Sequence, residues 1–216
     1  MRKDEIKHYL RKTWKFIWEE DSAASWLVNI VLAFVLIKFI VYPTLGFLLQ
    51  TAFPIVAVVS GSMEHKVTLD STSNYKYCGV SFEEKENADF WETCGEWYEQ
   101  NTVINEQDFK DFPFSNGFNK GDIMILRGKK PRNINIGDVI VFQSGRPDPI
   151  IHRVIDIRDG YYFTTKGDHN ARVISEHPIK EDNIAEDQVL GNAFIRIPLL
   201  GYIKIWFVEL IQLLIR

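Results

Sequence analysis

Hydrophobic and polar positions divide the chain into stretches with different periods. Residues 4–20 place Ile6, Leu10, Trp14 and Ile17 at helical spacing among lysines and arginines. This predicts an amphipathic helix, within a segment 1–25, lying on a membrane surface. Residues 26–49, WLVNIVLAFVLIKFIVYPTLGFLL, are apolar on every face. A helix needs about 20 residues to cross a hydrocarbon layer, so a membrane anchor is predicted at 26–50. Lys38 inside it costs about 2.5–3.5 kcal/mol at the bilayer centre, whereas each surrounding Leu, Ile, Val or Phe returns about 0.3–0.6 kcal/mol. The span survives the lysine. Pro43 is expected to bend the helix rather than end it. A cleaved leader, with an apolar region of about 7–15 residues, fits less well than an uncleaved anchor. A second apolar stretch, IPLLGYIKIWFVELIQLLI at 197–215, contains Lys204 and Glu209. It predicts a C-terminal hydrophobic helix within 194–216, either crossing the membrane or lying at its interface.

Between these stretches the pattern becomes that of strands. FPIVAVVSGSM (53–63) predicts an apolar strand, and GDIMILR, GDVIVFQ, IIHRVIDI and YYFTTKGDHN follow from residue 121 onwards. Gly-Asp marks turns, and the runs around it are rich in β-branched and aromatic residues. QVLGNAFIRI reads as a closing strand. The fold expected is a membrane-anchored, mainly β protein with an antiparallel β domain at 51–193. Residues 65–118 interrupt it with an acidic, aromatic insertion that has no clear repeat and carries Cys78 and Cys94. A disulfide between them would contribute about 3 kcal/mol, and an extracytoplasmic location would permit it. Two free buried thiols are the alternative. With no CxxC pair and no clustered His, zinc is not indicated, and no cofactor is implied.

Charge sets the orientation. Arg2, Lys3, Lys7, Arg11, Lys12 and Lys15 precede the anchor, whereas residues 50–65 hold no Lys or Arg. The N-terminus is therefore expected in the cytoplasm, with everything after about residue 50 outside. A net charge of −4 provides no basic field for nucleic acid.

The candidate chemistry starts at Ser62 in VVSGSMEHKV. A serine hydroxyl is a poor nucleophile without a base. In IIHRV, strand alternation sets Ile150, His152 and Val154 on one face and Ile151, Arg153 and Ile155 on the other. An imidazole between two apolar residues is partly desolvated, which favours its neutral, proton-accepting form. A carboxylate would fix its tautomer, and GDHN supplies Asp168, although Gly-Asp is also a plain turn.

SGSME (60–64), GDIMIL, GDVIVF, IIHRV, TKGDHN (165–170) and IPLLGYI (197–203) occur in the order seen in type I signal peptidases. The chain resembles the His-dependent branch of archaea and the endoplasmic reticulum; the bacterial branch has a lysine where His152 stands. The resemblance implies a serine endopeptidase that removes signal peptides from exported preproteins. It implies Ser62 as nucleophile, His152 as general base, Asp168 as an acidic partner and Ser60 as an oxyanion donor. Gly61 would admit the substrate backbone, and Met63 would help wall the substrate pockets. The chain departs from the family in three ways. His65 replaces the proline of SGSMEP, and as a strand residue would face away from Ser62. Ile174 stands where a second acid is usual, leaving Glu176, two residues on, as the nearest carboxylate; whether Asp168 or Glu176 orients His152 stays open. The insertion after Glu64 is long.

The partners implied are signal peptides of secretory preproteins, membrane lipid and the protein-export machinery. The absence of an Asn-x-Ser/Thr sequon leans toward an archaeal plasma membrane over the endoplasmic reticulum. A membrane-tethered β domain that binds exported proteins without cutting them is the rival from another class. A self-cleaving relative with a lysine base is disfavoured by His152 and by the span.

Overall fold

The structure, a computed structural model, describes residues 3–70, 72–85 and 87–215. Arg2 and Arg216 lie outside the described residues, as do the side chains of Lys204 and Glu209. The chain divides into two compact units, residues 1–48 and 49–216.

In the first unit, α1 (Lys3–Trp18) is the expected amphipathic helix; Leu10 and Trp14 remain exposed. Ser22 caps the next helix by accepting from the Ser25 N–H. That helix runs unbroken from Ala23 to Leu49 as α2 (Ala23–Leu36), a π turn at Ile37–Val41 and α3 (Tyr42–Leu49). Pro43 cannot donate to the helical ladder. The ladder shifts just before it, where the Tyr42 N–H reaches back to the Ile37 carbonyl. At 27 residues the helix is about 40 Å long, enough for a hydrocarbon layer of about 30 Å. Only 6% of its most apolar stretch is buried, unlike the core helix of a soluble domain. Lys38 Nζ lies over the rings of Phe34 and Phe39 at 5.5 and 5.6 Å.

The second unit is built on an antiparallel seven-stranded sheet. It comprises β1 (Ile55–Ala57), β5 (Ile123–Arg127), β10 (Val189–Ile197), β6 (Val139–Phe142), β7 (Ile150–Arg158), β8 (Tyr162–Lys166) and β9 (Ile184–Ala185), in that spatial order. The β-branched runs after each Gly-Asp form these strands because both sheet faces are covered. Met63, Met124, Val141 and Ile151 fill one core; Ile140, Phe142, Val154 and Phe163 fill another. Burying each such side chain contributes about 1.5–3 kcal/mol. The strand expected at 53–63 is shorter than its apolar run suggests. After Val58 the chain leaves the sheet, and the Glu64 N–H donates to the Gly61 carbonyl at 3.1 Å, closing a turn.

The insertion folds into a three-stranded sheet, β2 (Thr68–Leu69), β3 (Tyr75–Tyr77) and β4 (Val80–Phe82), followed by α4 (Phe90–Asn101) and α5 (Glu106–Asp111). Asp89 and Asn105 cap the two helices. A disulfide joins Cys78 on the hairpin to Cys94 on α4. Tyr98, Ile104 and Phe109 pack against Ile155 of β7, giving the insertion an aromatic core that it shares with the main sheet. At the C-terminal end, α6 (Tyr202–Ile215) has 14 residues, about 21 Å. Among the described residues only Ala23–Leu49 is both long and apolar enough to cross a membrane.

Candidate active site

Two distant segments bring a hydroxyl to an imidazole. The turn after β1 presents Ser62, and the middle of β7 presents His152, which is 5% exposed. His152 Nε2 lies 2.8 Å from Ser62 Oγ. On the other side of the ring, Nδ1 meets the Glu181 carboxylate. A carboxylate only accepts, so Nδ1 carries the proton and Nε2 is left to accept from the serine. Glu181 is wholly buried; the Ile174 N–H donates to its Oε2 at 3.0 Å and the Thr165 hydroxyl to its Oε1 at 3.3 Å. Ser60 Oγ stands 3.2 Å from Ser62 Oγ. A cleft of about 230 Å³ opens over this group, lined by Val56, Val59, Val141, Ile150, Ile174 and Ile179.

The expected acids sit elsewhere. Asp168 is fully buried and does not face His152. Arg153 donates to it twice, from Nε at 2.9 Å and from an Nη at 2.8 Å, and the Tyr98 hydroxyl donates at 3.2 Å. His65 Nε2 lies 2.9 Å from its second oxygen. Burial opposes ionisation of Asp168, but the charge of Arg153 and the bonds from His65 and Arg153 outweigh it and hold its pKa below the usual carboxylate range. Glu176 is exposed and pairs with Arg172 at 2.7 Å. The choice between Asp168 and Glu176 is therefore corrected to Glu181, held by the backbone of Ile174, the residue that stands where an acid was expected.

Other expectations need similar adjustment. Met63 does not line the cleft. It is 1% exposed and points into the core, where its sulfur accepts the Asp168 N–H at 3.3 Å. A Cβ on Gly61 would come within 3.3 Å of the Glu64 carboxyl, so the glycine sits tight against that side chain. The strand argument for His65 does not apply, because residues 58–65 are not a strand; its ring stacks on Phe90 with centroids 3.9 Å apart. Arg153 carried a signal that could have been read. An arginine between Ile151 and Ile155 on an apolar strand requires a buried acid, and Asp168 is that acid. Glu181 gave no such signal, since nothing in a polar, irregular stretch distinguishes it from Asp182.

The 167–170 turn packs against the site. The His169 N–H donates to the Ser62 carbonyl at 2.8 Å, and a Cβ on Gly167 would lie 2.8 Å from both that carbonyl and His152 Nε2. Lys166 is buried between the rings of Trp97 and Tyr98, 4.8 Å from each centroid, and donates to the carbonyls of Gly167 and Asp168. Burial pulls its ammonium pKa down to about 8.

No protein-family model matches the chain. Among characterised proteins, it is similar to the signal peptidase complex catalytic subunit SEC11 of Saccharomyces cerevisiae strain YJM789. The two are 35% identical over 99 residues, which is 43% of this chain and 59% of that relative. The SEC11 subunit of strain RM11-1a matches to the same extent. The chain thus spans about three-fifths of the length of these relatives. The resemblance to signal peptidase catalytic subunits holds over the matched stretch.

Proposed function

We propose that the protein is a membrane-bound serine endopeptidase that removes signal peptides from exported preproteins. The observation that carries this reading is the chain of contacts Ser62 Oγ, His152 Nε2, His152 Nδ1, Glu181 beside an open apolar cleft. In the proposed reaction Ser62 Oγ attacks the scissile carbonyl while its proton passes to His152 Nε2. The Ser60 hydroxyl and the Ser62 N–H receive the oxyanion, a donor of this kind contributing about 2.7–4 kcal/mol to acyl transfer. The tetrahedral adduct then collapses, the C–N bond breaks and His152 returns its proton to the leaving amine. A water molecule hydrolyses the acyl-enzyme by the same route in reverse. Glu181 keeps the Nδ1 proton in place and stabilises the imidazolium as it forms.

The similarity to SEC11 supports signal peptides as substrates, bound as an added extended strand with small side chains in the apolar cleft. Ala23–Leu49 would anchor the enzyme with its N-terminus in the cytoplasm. The exposed Ile203, Trp206, Leu210 and Leu213 recur along α6 at helical spacing, which favours an interfacial role for that short helix. To test the function, detergent-solubilised protein is incubated with a preprotein whose signal ends in Ala-x-Ala and the new N-terminus is sequenced. Cleavage after that motif by the wild type, absent in Ser62→Ala, is expected. Cleavage by neither would favour a non-catalytic binding domain, and equal cleavage by both would remove Ser62 from the mechanism.

A further inference from the structure

The insertion at 65–118 has no task in the chemistry above, yet it meets the site's supporting turn at several points. His65 bonds Asp168 and stacks on Phe90, just before α4's Trp91. Tyr98 donates to the other Asp168 oxygen, and Trp97 and Tyr98 enclose Lys166. The Cys78 N–H donates to the His169 carbonyl at 3.2 Å, Tyr77 stacks on the His169 ring, and Thr68 Oγ1 lies 3.1 Å from His169 Nε2. The opposite side of the same turn touches the reacting groups through the His169 N–H to the Ser62 carbonyl and through Gly167 against His152 Nε2. A displacement of the turn by a few tenths of an ångström would therefore be felt at the hydrogen bond between Ser62 and His152.

We propose that the insertion clamps the 166–169 turn and that His65 is the positioning residue of this clamp, holding Asp168 so that Ser62 and His152 stay in hydrogen-bond register. His65 belongs to both sides: it is three residues from Ser62, and its ring is wedged between the Asp168 carboxylate and Phe90. Its Nε2 donates to the carboxylate, because the carboxylate can only accept. The proposal rests on the catalytic reading of Ser62 and His152, and its test separates the two.

Two substitutions divide the contacts of His65. His65→Phe keeps a flat ring over Phe90 but loses the bond; His65→Gln keeps a donor for Asp168 but loses the stack. Steady-state cleavage of the Ala-x-Ala preprotein by the full-length protein in detergent gives kcat and KM, alongside the unfolding midpoint. In His65→Phe, kcat is expected to fall about tenfold with KM within twofold, the size of effect expected when one bond to a charged group is lost. His65→Gln should stay within about threefold of wild type, as rescue by a retained donor requires. Wild-type kcat in His65→Phe, or an equal fall in both variants, would overturn the proposal. Nitrogen-15 spectra of histidine-labelled protein supply a readout that does not depend on cleavage. His65→Phe should shift the His152 Nδ1–H resonance and His65→Gln should leave it near its wild-type position; no shift in the former overturns the proposal. If wild-type protein cleaves nothing while the resonance moves as expected, the catalytic reading fails and the clamp stands. Should His65→Phe fail to fold, His65→Leu in the same assays removes the bond with a smaller side chain, a fall in kcat at unchanged KM relative to His65→Gln supporting the clamp and no such fall overturning it.

Discussion

At the scale of single residues, the site depends on which carboxylate meets which buried donor. Arg153 and Glu181 are both fully buried, and each would leave an uncompensated partner if removed. Asp168 satisfies the guanidinium and Glu181 satisfies the imidazole. Glu181→Gln is therefore expected to lower kcat by about 10²–10⁴, because the amide no longer enforces the Nδ1–H tautomer. Glu176→Gln should be silent. Steady-state cleavage rates of the two variants check both. Lys166 gives a pH signature of a different kind. Burial lowers its pKa to about 8. Between there and the unfolded-chain value of about 10.4, the unfolded state binds a proton that the folded state does not, so stability rises with pH. Above about 10 the rise is opposed by Tyr98 and Tyr77, whose phenols burial keeps protonated in the folded state. Urea unfolding should show the wild type gaining about 2 kcal/mol between pH 7.5 and 9.5, a gain that Lys166→Met abolishes.

At the scale of elements, the chain's legibility varied with the range of its interactions. Strands β5, β6, β7, β8 and β10 were readable because Gly-Asp turns and β-branched runs are local signals. So were the amphipathic α1 and the apolar helix at Ala23–Leu49. The segment after β1 was misread as strand because an apolar run looks the same whether it pairs in a sheet or fills a core from a turn; Val58 and Met63 do the latter. The meeting of Ser62 with His152 was legible from their motifs, whereas that of His152 with Glu181 was not, because it spans 29 positions through an irregular loop. The insertion resisted reading for the same reason: its helices are held by aromatic contacts to β7 and by the link between Cys78 and Cys94. Replacing both cysteines with serine is expected to cost about 3 kcal/mol, read as a lower urea midpoint. Gly167→Ala should be more damaging to activity than to stability. Its methyl would press on His152 Nε2 and the Ser62 carbonyl, so kcat should fall more than about 100-fold in the cleavage assay.

For the whole molecule, the proposed function gives the β unit and the apolar helix one shared task. A signal peptide ends where it leaves the bilayer, so a protease for it gains from being tethered there. In the proposed arrangement the helix Ala23–Leu49 would supply the length, and the basic residues before it would set the orientation under the positive-inside rule. Full-length protein in sealed vesicles should resist alkaline extraction. Added protease should attack an N-terminal tag and the β unit from opposite sides of the membrane; attack on both from one side would contradict the proposed topology. The most direct test of the central proposal, that Ser62 and His152 act as one proton-passing unit, is a double-mutant cycle on preprotein cleavage. Ser62→Ala, His152→Ala and the double variant should lose activity to the same extent, since groups acting together are lost together. Losses that add across the two positions would show that the hydroxyl and the imidazole work separately and would contradict it.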